Sequence, residues 1–312
     1  MTESIEAARR CYAEELRSLA HITSSALLDA FATVPRERFV GPGPWRIKGM
    51  GRFWATEDTD PRRVYHNVLI ELDGEKGINN GQPSLWALCF DQLGVGAGDH
   101  VLHLGCGTGY YTAILAELAG PEGRVTAIEI DEALAERARV ALEPWPQADV
   151  VHGDGSSGPF ESADVIVVSA GVTHPLPAWL NAVKPVGRLL FPLTVTNGPG
   201  VMMLLTRKNE ESFAARLLCG VAFIDFSGAR DPKVSNQLGK ALRRDQGAPV
   251  KSLRCDSHEK EERCWLHGEG WCFSTRAPLQ ASSANNPGSA SPALASTTCV
   301  KAAALSGGSG PT

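Results

Sequence analysis

Long apolar runs are missing from this chain of 312 residues: none approaches the roughly 18 residues needed to span a bilayer. A signal-peptide core is missing as well, because the first twenty residues, MTESIEAARRCYAEELRSLA, form a charged amphipathic segment. There is no basic excess. Thirty Lys and Arg stand against 35 Asp and Glu, a net charge of −5, so nothing marks a nucleic-acid groove or an anionic membrane as partner. No internal repeat appears. Eight cysteines are scattered, with Cys89 and Cys219 inside apolar runs, which fits reduced core thiols better than a disulfide framework. These absences lead to the expectation of a cytoplasmic globular protein and leave its oligomeric state open. With 43% apolar and 21% charged residues, the chain can bury one large core or two modest ones.

Residues 101–109, VLHLGCGTG, run an apolar stretch into Gly105, Gly107 and Gly109, and a helically spaced apolar segment follows. Twenty residues beyond Gly109, a second strand-like run, RVTAIEI, carries an acid near its end at Glu129. Glycines let a backbone approach a ligand closely, and a carboxylate one strand over can accept two hydrogen bonds from ribose hydroxyls. Dinucleotide folds use G-x-G-x-x-G, with a helix N-terminus facing a pyrophosphate. Here the pattern is G-x-G-x-G, with Tyr110 and Tyr111 where that fingerprint has its last glycine. This suits S-adenosylmethionine (AdoMet), which carries no phosphate, and a structural glycine turn is the bland alternative.

The flanks support an α/β fold. Residues 3–20 and SALLDAFATV read as helices, the latter capped by Thr23 or Ser24 and ended before Pro35. PRERFVGPGPWRIKGMG reads as loop, residues 64–72 as a strand, DGEKGINNGQ as a turn and the segment from Pro83 to Gly94 as a helix. Strands are expected at 101–105, 124–130, 149–152 and 163–171, with helices at 110–119 and 131–142 and in PAWLNAVK, stopped by Pro185. RLLFPLTV, VMMLLTRK and FAARLLCGVAFIDF follow without helices between them. The sum is a Rossmann-like, doubly wound, mainly parallel sheet with an antiparallel edge, N-terminal helices and a C-terminal extension. The expected boundaries are 1–95 for an N-terminal, substrate-side segment, 96–230 for the AdoMet-binding core, 231–276 for an extension packed on it and 277–312 for a disordered tail. That tail is dominated by Ala, Ser, Gly, Pro and Thr and cannot bury enough surface to offset chain entropy.

With loop, acid and flanks in place, residues 24–207 resemble the protein-L-isoaspartate O-methyltransferase family of class I AdoMet methyltransferases. SALLDAFATVPRERFV, the glycine loop, the Glu129 strand, GDG at 153–155, the strand ending in Ala170-Gly171 and VGRLLFPL recur in the family's order. The resemblance implies that Gly105, Gly107 and Gly109 line the methionine portion of AdoMet, with Tyr110 and Ala170 bordering the cleft. It places Glu129 on the ribose and Asp154 and Gly155 beside the adenine. One departure stands out. The family shows Thr-Ile-Ser, one residue, then proline, and its serine faces the substrate carboxylate; here Asn79, Asn80 and Gly81 precede Gln82 and Pro83. Asn80 or Gln82 is then the candidate amide donor to the acceptor, with Ser84 close by in sequence, while an Asn-Gly turn chosen for conformation alone is the alternative. His174 is a candidate base should the acceptor be a hydroxyl. A carboxylate acceptor is already ionised at pH 7 and needs none.

The expected activity is therefore methyl transfer to an isoaspartyl or aspartyl carboxylate of a protein or peptide. A small-molecule O-methyltransferase and a non-catalytic AdoMet-binding protein are the alternatives, and a dehydrogenase is more remote. Cys255, His258, Cys264, His267 and Cys272 raise the question of zinc, but their spacings match no common finger closely. Trp265, Leu266, Trp271 and Phe273 alternate with them like core-facing strand residues, so the segment is expected to close the sheet or the substrate side, with no metal assigned.

Overall fold

The computed structural model describes residues 4–49 and 52–278; of the expected disordered tail at 277–312, the part from 279 onward lies outside them. Two helices open the chain, α1 (Ile5–Ala20) and α2 (Ser25–Thr33). The Ser24 hydroxyl caps α2 by accepting from the Leu27 N–H at 3.2 Å. The Asp91 carboxylate accepts from the N–H groups of Thr23 and Ser24 at 2.9 and 2.8 Å, which ties that cap to α3 (Pro83–Leu93). Between them lies a small antiparallel sheet of β1 (Arg46–Gly49), β2 (Arg52–Ala55), β3 (Leu69–Asp73) and β4 (Ile78–Asn79), in the order β2-β1-β3-β4.

Two segments before α3 depart from the sequence expectation. The segment 35–51 is not all loop: it holds a 3₁₀ turn at Arg36–Phe39 and, at its far end, β1 of the β1–β2 hairpin. The expected strand 64–72 starts only at Leu69, after a 3₁₀ turn at Pro61–Val64. The reason is Arg36, whose guanidinium donates to the carbonyls of Val64, His66 and Val68 at 2.7 to 2.8 Å and takes the acceptors a strand partner would use.

The main sheet follows. Strands β5 (His100–Leu104), β6 (Arg124–Glu129), β7 (Ala148–His152), β8 (Ala163–Val168) and β9 (Val183–Thr194) run parallel, in the order β7-β6-β5-β8-β9. Their crossovers carry α4 (Tyr110–Ala119), α5 (Glu132–Leu142) and α6 (Pro177–Ala182). β5 and β8 are buried almost throughout because helices cover both faces. Alternate residues separate the two cores: Val165 and Val167 join the cluster under α1–α5, whereas Ile166 and Val168 join the one under α6.

The helix expected to stop at Pro185 ends at Ala182, and Pro185 lies inside β9. Pairing with β8 jumps from Ala163↔Val183 to Val165↔Arg188, so Pro185 occupies an irregular stretch where its missing N–H breaks no ladder bond.

The antiparallel edge is a broad wing. β10 (Pro199–Arg207) and β11 (Ser212–Ala222) extend from β9; after α7 (Pro232–Asp245), β12 (Ser252–Arg254), β13 (Cys264–Gly268) and β14 (Trp271–Ser274) complete the ten-stranded order β13-β14-β12-β11-β10-β9. No helix among the described residues is long and apolar enough to cross a membrane.

Candidate functional site

Strand order reverses between β5 and β8, and such a switch point leaves a crevice at the carboxyl ends of the strands. A cavity of about 640 Å³ opens there, comfortable for a small organic molecule. One wall is made of backbone. Gly105, Gly107 and Gly109 adopt φ of +76°, +57° and +91°, which L side chains rarely tolerate. The N–H groups of Gly105 and Cys106 both donate to the Ile128 carbonyl, at 2.8 and 3.2 Å. The Gly107 N–H donates to Glu129 Oε2 at 2.7 Å, and the other carboxylate oxygen accepts from the Asp131 N–H at 3.1 Å. A Cβ added at Gly107 would meet nothing within 4 Å, so the loop faces open space there.

Beneath this wall lies a residue the sequence reading passed over. His103 is fully buried on β5 and bonds Thr112 Oγ1 at 2.9 Å and Ser169 Oγ at 2.8 Å, joining α4 to the loop after β8. Burial pushes its pKa down to about 3, so the imidazole is neutral. Cys106 also lines the cavity, but burial, with Glu129 nearby, pushes its thiol pKa up, which makes it no nucleophile.

The opposite wall is made of side chains on the small sheet: Lys48, Leu69, Leu72 and the segment 79–82. Asn80 Oδ1 accepts from the Ile70 N–H at 2.9 Å and from Arg36 at 3.4 Å, which fixes the orientation of the amide. Its Nδ2 is buried and has no hydrogen-bond partner. Gln82 lines the cavity too, but its Nε2 donates to the Asn67 carbonyl and side chain, both at 2.9 Å, so it braces the loop. Gly81 has φ +75°, and a Cβ there would sit 2.6 Å from Trp86 Nε1. A serine cannot be restored at that position without displacing Trp86. The Tyr111 hydroxyl donates to the Gly81 carbonyl at 3.2 Å, and Trp86, Tyr111 and Phe223 give the cavity an aromatic side.

The remaining predicted residues are dispersed. Tyr110 lines the cavity, yet its hydroxyl meets that of Tyr12 at 3.4 Å in the helical core. Gly109 caps α4, packed against Leu142. Glu129, Asp154, Gly155 and Ala170 follow around the same carboxyl edge of β6, β7 and β8 without lining the cavity itself. Asp154 is turned onto its own loop, accepting from the N–H and hydroxyl of Ser156, both at 2.8 Å. The Gly155 carbonyl accepts from Trp179 Nε1 at 2.8 Å. Ile130, next to Glu129, is 51% exposed, an apolar surface at the strand end. His174 is not at the cavity. Its ring stacks on Trp271 with centroids 5.8 Å apart, and Nδ1 pairs with the Thr173 hydroxyl at 2.9 Å.

Arg36 was legible only as part of a proline-arginine turn. It is completely buried and, besides the carbonyls above, lies over the rings of Tyr12 and Tyr110 at 5.7 and 5.8 Å. Its position directly after Pro35, at the end of an apolar helix, is the signal the sequence offers.

A family model described as Protein-L-isoaspartate(D-aspartate) O-methyltransferase (PCMT) matches residues 9–231. The protein-L-isoaspartate O-methyltransferase of Brucella anthropi is 32% identical over 212 residues, which are 66% of this chain and 88% of that protein. The protein of the same name from Methanothermobacter thermautotrophicus is 30% identical over 227 residues, 70% of this chain and 95% of its own. A solved protein-L-isoaspartate O-methyltransferase superposes with a TM-score of 0.59 at 26% identity, covering 75% of this chain and 69% of that one. A second, a putative enzyme of that name from Plasmodium falciparum in complex with S-adenosyl-L-homocysteine, gives a TM-score of 0.57 at 15% identity over 70% of this chain and 98% of its own, a likeness of fold.

Proposed function

We propose, from the premise that the chain belongs to the protein-L-isoaspartate(D-aspartate) O-methyltransferase family of AdoMet-dependent enzymes, that its substrate is an isoaspartyl or aspartyl carboxylate in a protein or peptide. One observation carries the reading: the glycine loop and Asn80, whose buried amide nitrogen has no hydrogen-bond partner, line the same cavity. Gly105 and Gly107 leave room for the methionine portion of AdoMet, and the open space over Gly107 is what a bound ligand would fill. Glu129 is the ribose acceptor, and Ile130 offers an apolar face beside it. Asp154 and Gly155 border the adenine end, with Tyr110 and Ala170 at the margins of the cleft.

AdoMet supplies a methyl group activated on a sulfonium. Displacement needs an in-line nucleophile at van der Waals distance, and a carboxylate is already ionised at neutral pH. Charge is neutralised as anion and sulfonium become ester and thioether, so walls that exclude water favour the step. Trp86, Tyr111 and Phe223 provide them. Asn80 Nδ2 donates to one oxygen of the acceptor and leaves the other free to attack; this is the role the missing serine hydroxyl would have had. Gln82 braces the adjoining loop through Asn67. His174 has no part in the step. None of the seven described cysteines forms a disulfide, which supports a reducing, cytoplasmic setting.

The test uses the full chain with methyl-labelled AdoMet and three acceptors: a peptide with one isoaspartyl residue, its aspartyl twin and a series of small dicarboxylic acids. Base-labile label on the isoaspartyl peptide is the expected result. Label on the small acids alone, or AdoMet binding without turnover on any carboxylate, would overturn the assignment.

A further inference from the structure

Beyond residue 231, where the family match ends, the antiparallel wing brings together four side chains distant from the cavity: His258, Cys264, His267 and Cys272. We propose that they bind one structural zinc ion. The proposal does not rest on the methyltransferase reading.

The hairpin makes the site. His267 and Cys272 are directly paired across β13 and β14, so they share a face. Cys264 lies three residues before His267, and in a regular strand it would point to the opposite face. The register shifts between Cys264 and Leu266, placing two residues of β13 opposite one of β14. That bulge turns Cys264 onto the face of the other two. The connection from β12 then carries His258 over them. The arrangement in the chain is H-x5-C-x2-H-x4-C. Of the five residues that raised the question of zinc in the sequence, Cys255 alone lies outside this group.

One ligand atom from each of the four lies within 4.8 Å of all the others. His258 Nε2 and Cys264 Sγ are 3.6 Å apart. A tetrahedron with Zn–S of about 2.3 Å and Zn–N of about 2.05 Å has an S···N edge of about 3.6 Å. The outer shell also fits. His258 Nδ1 faces the Asp256 carbonyl at 3.0 Å and its carboxylate at 3.3 Å, which leaves Nε2 directed at the cluster. Arg254 in turn holds Asp256, and it reaches Glu261 at 2.9 Å. The Glu261 N–H donates to Cys264 Sγ at 3.3 Å, a bond that favours thiolate. His267 Nδ1 is buried without a hydrogen-bond partner, and the two imidazoles meet edge-on at 5.0 Å. Two sulfurs and two imidazoles select zinc over hard cations, and four protein ligands leave no open position, which marks a structural rather than a catalytic site. Strands of three to five residues at the end of a sheet gain most from such a tie.

The full chain, purified under reducing conditions without chelator, is expected to carry about one equivalent of zinc by elemental analysis. After exchange for Co²⁺ it should show the intense visible bands of a tetrahedral thiolate complex. Cys264→Ser with Cys272→Ser should abolish both signals while AdoMet affinity by calorimetry stays within about twofold, which shows that the variant is folded. Cys255→Ser should retain the metal. Absence of zinc together with no tetrahedral Co²⁺ spectrum on reconstitution would overturn the proposal. So would a thiol count showing Cys264 and Cys272 joined as a disulfide, or zinc retained in the double variant.

Discussion

The two walls of the cavity are built on different principles. On the β5 side the contacts are backbone groups and one carboxylate, all within residues 105–131, and their positions follow from a strand, three glycines and the start of the next helix. On the small-sheet side the contact is a side-chain amide. Asn80 is aimed by Arg36, 44 residues earlier, and by the backbone of Ile70. Gln82 is committed to Asn67. A wall of backbone can be read from a short motif and resists change, because each glycine is demanded by its own φ. A wall of side chains is assembled over long range, so a family can rebuild it while the opposite wall stays the same. Asn79, Asn80 and Gly81, where the family resemblance implies Thr-Ile-Ser, would be such a rebuilding: no hydroxyl is present, and a buried amide nitrogen is unpartnered one residue earlier.

The contrast can be broken most severely on the backbone side. Glu129→Ala removes the acceptor for the Gly107 N–H and the proposed acceptor for the ribose, and should weaken AdoMet binding roughly 100-fold, since charged hydrogen bonds contribute about 1.5–3 kcal/mol each. Titration calorimetry reads this directly, and unchanged affinity would detach the glycine loop from the cofactor.

The His103 strut beneath that wall should show itself in acid. Its folded pKa lies near 3, below the unfolded value of about 6.5, so the unfolded chain binds the extra proton. Its contribution is complete above pH 6.5 and declines as the pH falls towards 3. At pH 5 the loss is about 2 kcal/mol. Urea melts of wild type and His103→Gln at pH 7 and pH 5 should differ by that increment, and parallel losses would remove His103 from the account.

On the side-chain wall, Asn80→Asp keeps the acceptor for Ile70 and Arg36 but replaces the free donor with an anionic oxygen. A roughly tenfold or greater fall in kcat/KM, with AdoMet affinity nearly unchanged, follows from losing one hydrogen bond to a charged acceptor. Equal losses in both quantities would mean that the two walls are not separate. The smallest effect belongs to His174→Ala, which should change turnover less than about twofold because the ring lies against Trp271, outside the cavity. A larger loss would tie the C-terminal wing to catalysis.

Much of this was open to a reader of residues. The glycine loop, the Glu129 strand and the order of helices and strands through β9 follow from local pattern, with Pro185 misread because a proline at a strand irregularity looks like a helix stop. The hairpin β1–β2 was hidden inside a stretch rich in glycine and proline. The delayed start of β3 was hidden because a distant guanidinium, not local propensity, decides it. His103 looked like one more strand residue, since nothing nearby announces that its two partners come from α4 and from the end of β8.

The amino-acid order alone determined the parallel half of the sheet and the character of its glycine loop, because φ > 0 glycines and apolar strands act over a few residues. Which amide at the cavity is left without a partner, and which four of the five cysteines and histidines of the C-terminal segment meet, was left to tertiary structure. Those choices depend on one buried arginine spanning 44 residues and on a single bulge that rotates Cys264 across a hairpin.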